Sequence, residues 1–516
     1  MCLFMSISGL NTATVILVFV IFALILAWHI NHLYFGEPLR PDSLALLVKP
    51  DHFRDVVSVG LKEVPGLLRP LAVVAVGLAL ALYVKSWSPE HDWQGWSAAL
   101  AWGTLGLACL RISAVVREKR LREWPEMQMT GLFGGLHALV VAIKWGITGV
   151  KPLPGAVTYS LNPVSDALVV VLMGESINPA RMGLFSGLDT TARMDELVAG
   201  DQRFAGCAKV GFSAAVASNA SVAGFLSGSP FSWRTARSRS LFDLARAQNF
   251  STRYWSAQTR SPIEVLGDSR SVDDVYSLES AKDLFRVRKD WHLLDKLELK
   301  PFGGREFAFL YPRCNHAPYT GHAPCPSDDR DSKDDGLVER YDSGLRTFDA
   351  FVSDLLARIP TAGRRVFVFV TSDHNELLGD RGGLKGHNLS GQAACALVPY
   401  LLFTNDPASE VFKEFCSEDN PDAWSVAQLV LKVMGVDVAV EPTSDGSYIC
   451  NSLPFGSAGY MKVSGVADPF MVDTYDRTGQ LQSTTGFRKG DWLNRHKTSG
   501  EPVTDDRHAR VRVPLS

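Results

Sequence analysis

The chain has 516 residues, 46% of them hydrophobic, and its 52 basic against 55 acidic side chains leave a formal net charge of -3. That length exceeds one ordinary domain, and the balanced charge, with no basic stripe interleaved with aromatics, excludes a nucleic-acid partner. His-rich tracts, low-complexity segments and internal repeats are absent as well.

The first elements are apolar. No Asp, Glu, Lys or Arg precedes Glu37, and Thr12–Trp28 (TATVILVFVIFALILAW) has about the length that crosses a bilayer. It lacks a basic leader and a small-residue cleavage site, so it reads as a retained anchor rather than a secretory signal. Pro70–Val84 and Gln94–Leu110 predict two further spans. Met127–Ile143, with His137, three glycines and flanking Glu126 and Lys144, fits an interfacial helix, or else a fourth span. Three spans and a cytoplasmic N-terminus place the remainder outside the cytoplasm, while the basic run Arg117-Glu118-Lys119-Arg120 favours the four-span alternative. The predicted organisation is a membrane domain over 1–112, an interfacial helix and linker over 113–165, and an extracytoplasmic domain over 166–516.

From Asp166 the pattern is α/β. Ala167–Gly174 (ALVVVLMG), Arg305–Pro312 (REFAFLYP), Arg365–Ser372 (RVFVFVTS) and Val398–Thr404 (VPYLLFT) are continuous β-branched and aromatic runs, as for strands buried on both faces. Helical patterns lie over Leu337–Ile359 and Trp424–Met434, Ser251–Lys300 reads as helical and charged, and Gly456–Ser516 as mixed short elements. Cys207, Cys314, Cys325, Cys395, Cys416 and Cys450 make an even number that fits an oxidising compartment, with buried thiols as the alternative. Cys314 and Cys325 bracket a possible site loop and are the first choice for a disulfide.

Ligands bind open parallel sheets beyond the carboxyl ends of the strands. Glu175-Ser176, Asn315-His316 and Asp373-His374 occupy those positions, and His387 follows in LKGHN. An Asp oxygen beside a His nitrogen suits zinc or manganese better than calcium, and a cation would offset the cost of leaving Glu175 near a sheet edge without a partner. The alternatives are a helix-start acid for Glu175 and a solvated loop pair for Asp373-His374. Gly211–Ser227 (GFSAAVASNASVAGFLS) is rich in small residues and becomes apolar-periodic after Asn219. Ser218 then stands near a helix start, where N–H groups and the macrodipole favour an alkoxide or phosphate. An N-cap serine is the alternative, and Ser213 and Ser221 are competing hydroxyls.

This order of segments resembles the membrane-bound phosphoethanolamine and phosphoglycerol transferases of the alkaline phosphatase/sulfatase superfamily, over roughly Asp166 to Gly435 and more loosely in the membrane part. The stretch VVVLMGESINPARMGLFSGLDTTARMDEL looks like the family's opening strand and its ES motif. RCNHAPY and VFVFVTSDHNELLGDRGGLKGHN look like its two histidine segments, and YDSGLRTFDAFVSDLL like the helix with its YD motif. The resemblance implies N-terminal transmembrane helices followed by an α/β/α sandwich with a mostly parallel central sheet. It implies Glu175, Ser218, Asp373 and His374 as metal ligands, Ser218 as nucleophile where many members have Thr, and His316 and His387 on the transferred phosphoryl group or a second zinc. The implied cofactor is zinc, with manganese as the alternative. The implied donor is phosphatidylethanolamine and the acceptor an envelope sugar or lipid, with the chain a monomer in the bacterial inner membrane and its catalytic domain in the periplasm. Phosphoglycerol transfer, phosphodiester hydrolysis and a binding protein with a degenerate site are the alternatives on this fold. Family members often have five spans, and LAWHINHLYFGEPLRPDSLALL looks like the outer end of the third, so this chain would lack the first two, or start late, and keep the three-span parity. Asn375 and Asn388 replace family glycines, and Ala214 and Gly224 stand where lipid A-modifying members have a disulfide. No Cys-x-Pro-x-Arg motif is present, which sets aside a formylglycine sulfatase.

Overall fold

The computed structural model describes residues between 158 and 493, apart from 229–238, 264–270, 320–335, 380–384, 440–445, 452–458 and some shorter stretches. The chain divides after Gly149, and all described residues belong to the second unit. The segments expected to span or lie on the membrane fall outside the described residues, among which no helix is long and apolar enough to cross a membrane.

The continuous apolar runs do form the middle of a sheet. Its strands are β1 (Ala167–Gly174), β2 (Ala205–Phe212), β3 (Ser251–Ser256), β4 (Asp274–Tyr276), β5 (Glu306–Tyr311), β6 (Arg365–Ser372) and β7 (Leu397–Thr404). They are ordered β2-β7-β6-β1-β5-β3-β4. β1, β6, β5, β3 and β4 pair in parallel, whereas β7 runs antiparallel to both β6 and β2. Parallel neighbours need covering on both sides, because each strand sends alternate side chains to opposite faces.

Two cores follow from that alternation. Val169, Val171, Phe307, Phe309, Phe367 and Phe369 pack on one face with Val426 and Val430 of a helix at Ala423–Val433. Leu168, Val170, Val366 and Val368 pack on the other with helix α3, defined below. Each such side chain, fully buried, contributes roughly 1.5–3 kcal/mol before the entropy of ordering it. The result is the expected α/β/α sandwich.

The helices that position the site are α1 (Ala192–Gly200), α2 (Ser218–Ser227) and α3 (Leu337–Arg358). α3 buries Tyr341, Leu345, Phe348, Val352 and Leu355, a spacing of three and four that gives one apolar stripe. Beyond the main sheet, β8 (Ser447–Cys450), β9 (Tyr460–Ser464), β10 (Phe470–Tyr475) and β11 (Leu481–Phe487) form an antiparallel sheet. It docks through Phe470 and Phe487, whose rings lie 5.9 and 6.1 Å from that of Phe212.

Two expectations are corrected. Ser251–Lys300 is not uniformly helical, because β3 and β4 lie within it and the helix Trp291–Lys296 follows. Six- and three-residue strands among charged turns are too short to impose a period on the sequence. Cys314 is a buried free thiol rather than half of a disulfide, and Cys325 lies outside the described residues. The Cys314 thiol is hydrogen-bonded to buried Asp290, and burial beside that carboxyl pushes it well above its ordinary range.

Candidate active site

At the end of β1 the chain must turn at once. Gly174 permits this, since a Cβ there would meet Ile177 at 2.8 Å and the Phe348 ring at 2.9 Å. Ser176 adopts φ 59°, a left-handed conformation that is uncommon for a residue with a side chain. Its N–H thereby reaches Asp373 Oδ1 at 2.9 Å, and its carbonyl accepts from Tyr341 Oη at 2.6 Å. Glu175 is left facing the end of β6.

There the chain carries Asp373 and His374, both fully buried. Adjacent strand residues face opposite ways, yet the turn out of β6 brings both inward. Asp373 Oδ1 also accepts the His374 N–H at 2.8 Å. His374 Nε2 lies 3.3 Å from Asp373 Oδ2 and 3.6 Å from Glu175 Oε1.

Ser218 completes the group from α2. Its Oγ is 3.0 Å from His374 Nε2 and 3.4 Å from Glu175 Oε1. The N-cap of α2 is Ala217, with no side-chain cap, so Ser218 is the first helical residue and not a capping serine. The competing hydroxyls sit elsewhere. Ser213 Oγ bonds the carbonyl of Ala215 at 2.7 Å, and Ser221 lies buried one turn along the helix.

A tetrahedral ion with bonds of about 2.0–2.1 Å holds its ligands roughly 3.3–3.4 Å apart. The separations of 3.0, 3.3, 3.4 and 3.6 Å among the Ser218, Asp373, Glu175 and His374 atoms bracket that value. Two carboxylates, an imidazole and a hydroxyl therefore fit a zinc-sized cation. Their electrostatics agree. Burial raises both carboxyls, but His316 and His374, with hydrogen bonds from Tyr311 and Gln258, hold Glu175 well below the carboxylate range. Burial and the neighbouring Glu175 charge keep Asp373 well above it. Burial, with His387 alongside, lowers His374 to about 3, leaving a neutral imidazole able to bind a metal.

His387 and His316 line the same region. The His387 ring stacks on His374 with centroids 3.9 Å apart, and its Nδ1 lies 2.7 Å from Glu376 Oε2. Burial alone would lower His387, but Glu376 raises it, while the same pair lowers Glu376 against the effect of burial. Glu376 Oε1 accepts from Tyr319 Oη at 2.7 Å. His374, Glu376 and His387 thus form a second group able to hold a cation. His316 follows β5, close enough to act on Glu175, and its Nδ1 is 2.6 Å from the Ala317 carbonyl and 3.2 Å from Arg313 Nη2.

The residues from the YD helix support the site without entering it. Tyr341 accepts the Asn178 N–H at 2.7 Å, Asp342 binds Arg181 Nε at 2.9 Å, and Asp349 accepts the N–H groups of Arg193 and Met194 at the start of α1. Asn375, in place of the family glycine, has no left-handed backbone to satisfy; its side chain donates to Ala394 O at 2.8 Å and accepts from Glu376 N at 2.8 Å. Asn388 lies outside the described residues. Sequence reasoning missed Tyr311, Gln258 and Glu376. Tyr311 ends a predicted strand, which was the available signal, whereas Gln258 lies in the segment read as helical.

Residues 167–421 match the Sulfatase family model. A search of curated proteins finds no match. Among solved structures, the integral membrane lipooligosaccharide phosphoethanolamine transferase A from Neisseria meningitidis is 15% identical with a TM-score of 0.50, over 81% of this chain and 84% of that one. The C-terminal periplasmic domain of EcEptC from Escherichia coli, in complex with Zn, is 17% identical with a TM-score of 0.47, over 66% of this chain and 99% of that one. At 15% identity, the likeness to the Neisseria structure shows the fold alone.

Proposed function

With a sulfatase-family domain over residues 167–421 as the premise, we propose that the protein is a metal-dependent phosphoethanolamine transferase working at a bilayer surface. The observation that carries this reading is the place of Ser218 Oγ, 3.0 Å from His374 Nε2 and 3.4 Å from Glu175 Oε1. A hydroxyl at a corner of a cation-binding set and at the start of a helix is suited to become an alkoxide. Zinc, or manganese in its place, would be held by Glu175, Asp373, His374 and Ser218, where it lowers the hydroxyl pKa and polarises the phosphoryl oxygens.

The Ser218 alkoxide attacks the phosphorus of a membrane phosphodiester, with phosphatidylethanolamine as donor. The bond from phosphorus to the glycerol oxygen breaks, and diacylglycerol departs with a proton. His387, held through Nδ1 by Glu376, and His316 balance charge on the non-bridging oxygens. The first-turn N–H groups of α2 face the same charge. An envelope sugar or lipid hydroxyl then attacks the phospho-serine, gives up its proton and releases Ser218. The apolar run Thr12–Trp28 fits this chemistry by confining the catalytic unit to the lipid, and the location that follows is the bacterial inner membrane with the catalytic domain in the periplasm.

The test uses the full chain in detergent with zinc and phosphatidylethanolamine labelled in its head group, with phosphatidylglycerol in parallel. A head-group adduct on the peptide bearing Ser218, from phosphatidylethanolamine, is the expected result. An adduct on Ser213 or Ser221 would overturn the nucleophile, and one from phosphatidylglycerol alone would overturn the donor.

A further inference from the structure

Tyr311 is the last residue of β5, 1% exposed, and its hydroxyl is not free to serve solvent. It lies 2.5 Å from Glu175 Oε2 and 2.8 Å from Asp373 Oδ2. Gln258 Nε2, from the turn after β3, donates to the same Glu175 Oε2 at 2.6 Å. On the other carboxylate, Oδ1 is taken up by the Ser176 and His374 N–H groups at 2.9 and 2.8 Å.

These contacts divide the four carboxylate oxygens by task. Glu175 Oε2 and Asp373 Oδ1 are saturated with donors. Glu175 Oε1, which accepts a single hydroxyl from Ser176 Oγ at 3.0 Å and is directed at Ser218 and His374, and Asp373 Oδ2, beside His374, are the oxygens that face a cation. A phenol has one proton and can donate to only one of its two carboxylate neighbours at a time. With a cation on Asp373 Oδ2, that proton goes to Glu175 Oε2, where Gln258 already donates.

We propose that Tyr311 is a positioning residue for the catalytic metal: its hydroxyl, together with the Gln258 amide, turns Glu175 so that it binds the ion through Oε1 alone. The proposal rests on the metal-dependent reading above. Groups that hydrogen-bond metal ligands in this way typically change metal affinity by about 10- to 100-fold when removed. A phenylalanine would fill the same space while leaving Glu175 Oε2 to Gln258 and free to swing toward the ion.

The experiment compares the full-length wild type with Tyr311→Phe and Gln258→Leu. Zinc affinity is read by competition with a chromogenic chelator, beside the melting temperature of the metal-free protein and the zinc dependence of kcat. The expected result is a 10- to 100-fold weaker zinc affinity for Tyr311→Phe, a smaller loss for Gln258→Leu, and a kcat for both that excess zinc restores toward wild type. Wild-type zinc affinity in Tyr311→Phe overturns the proposal. So does a Tyr311→Phe protein that fails to fold, or whose kcat stays low at saturating zinc, since Tyr311 would then serve the fold or the chemistry instead. Failure of the wild type itself to bind zinc would overturn the metal-dependent reading, a distinct outcome.

Discussion

Ser176 gives its backbone N–H to Asp373 Oδ1 at 2.9 Å, joining residues 197 apart in the chain. The contact follows from register, because Gly174 of β1 lies opposite Ser372 of β6. Holding Ser176 in the left-handed region costs about 1–2 kcal/mol, and it aligns two carboxyl-bearing strand ends against each other. Burial and the Glu175 charge then work against ionised Asp373. A divalent cation removes that conflict, so chelation should lower the melting temperature. Zinc at roughly 100 times its Kd should restore about 2.7 kcal/mol. Scanning calorimetry of the stripped and reloaded protein checks this, and identical melts would count against a metal site.

Ser218→Ala should abolish the head-group adduct and lower kcat by at least about 10⁴-fold, as for lost nucleophiles elsewhere. Glu175, Asp373 and His374 keep their places in that variant. Zinc should therefore still bind, more weakly, and a variant that retains turnover would remove Ser218 from the reaction.

Gly344 faces the loop that carries His316. A Cβ there would collide with Asn315 Oδ1 and close on the Cys314 carbonyl at 3.4 Å. Gly344→Ala should cost about 1–3 kcal/mol, the usual penalty of overpacking, and reduce kcat by displacing the loop. Urea unfolding and steady-state kinetics test the two effects separately.

Asn375→Gly restores the family residue but deletes two buried hydrogen bonds, to Ala394 O and from Glu376 N. A loss of about 1–3 kcal/mol is expected. Unchanged stability in thermal melts would mean that these bonds contribute nothing.

Burial raises Asp290 from 3.8 to about 6, and hydrogen bonds from Cys314 and the Arg313 N–H offset only part of that. A carboxyl raised on folding holds its proton more tightly in the native state. Its contribution is complete below pH 3.8 and lost as the pH rises through about 6. Asp290→Asn should flatten the fall in unfolding free energy across that window, a change on the order of 3 kcal/mol. Urea titrations from pH 4 to 7 would show equal slopes if the group were not buried in this way.

The central strands were legible because burial on two faces demands unbroken apolar sequence, as in Ala167–Gly174 and Arg365–Ser372. β2 was not, since its sequence AGCAKVGF mixes glycines and a lysine among small residues. Among the described residues it is the outermost strand on its side, paired with β7 and bridged only at Phe212, to Asp422. The acids and imidazoles at strand ends could be read from position and motif order. The donors that orient them could not, because Tyr311 and Gln258 act through distances set by tertiary packing rather than through any local pattern.

The reversal of β7 has a consequence for how this site can change. Because β7 runs against β6, the segment 373–396 leaves and re-enters the sheet at the same edge, and Asn375 N donates to Cys395 O at 2.8 Å across its neck. It is a closed excursion whose ends are fixed independently of its middle. Lengthening the middle costs only the slow logarithmic entropy of a larger loop. Insertions within it would therefore leave Asp373, His374 and the paired strands that hold them in register.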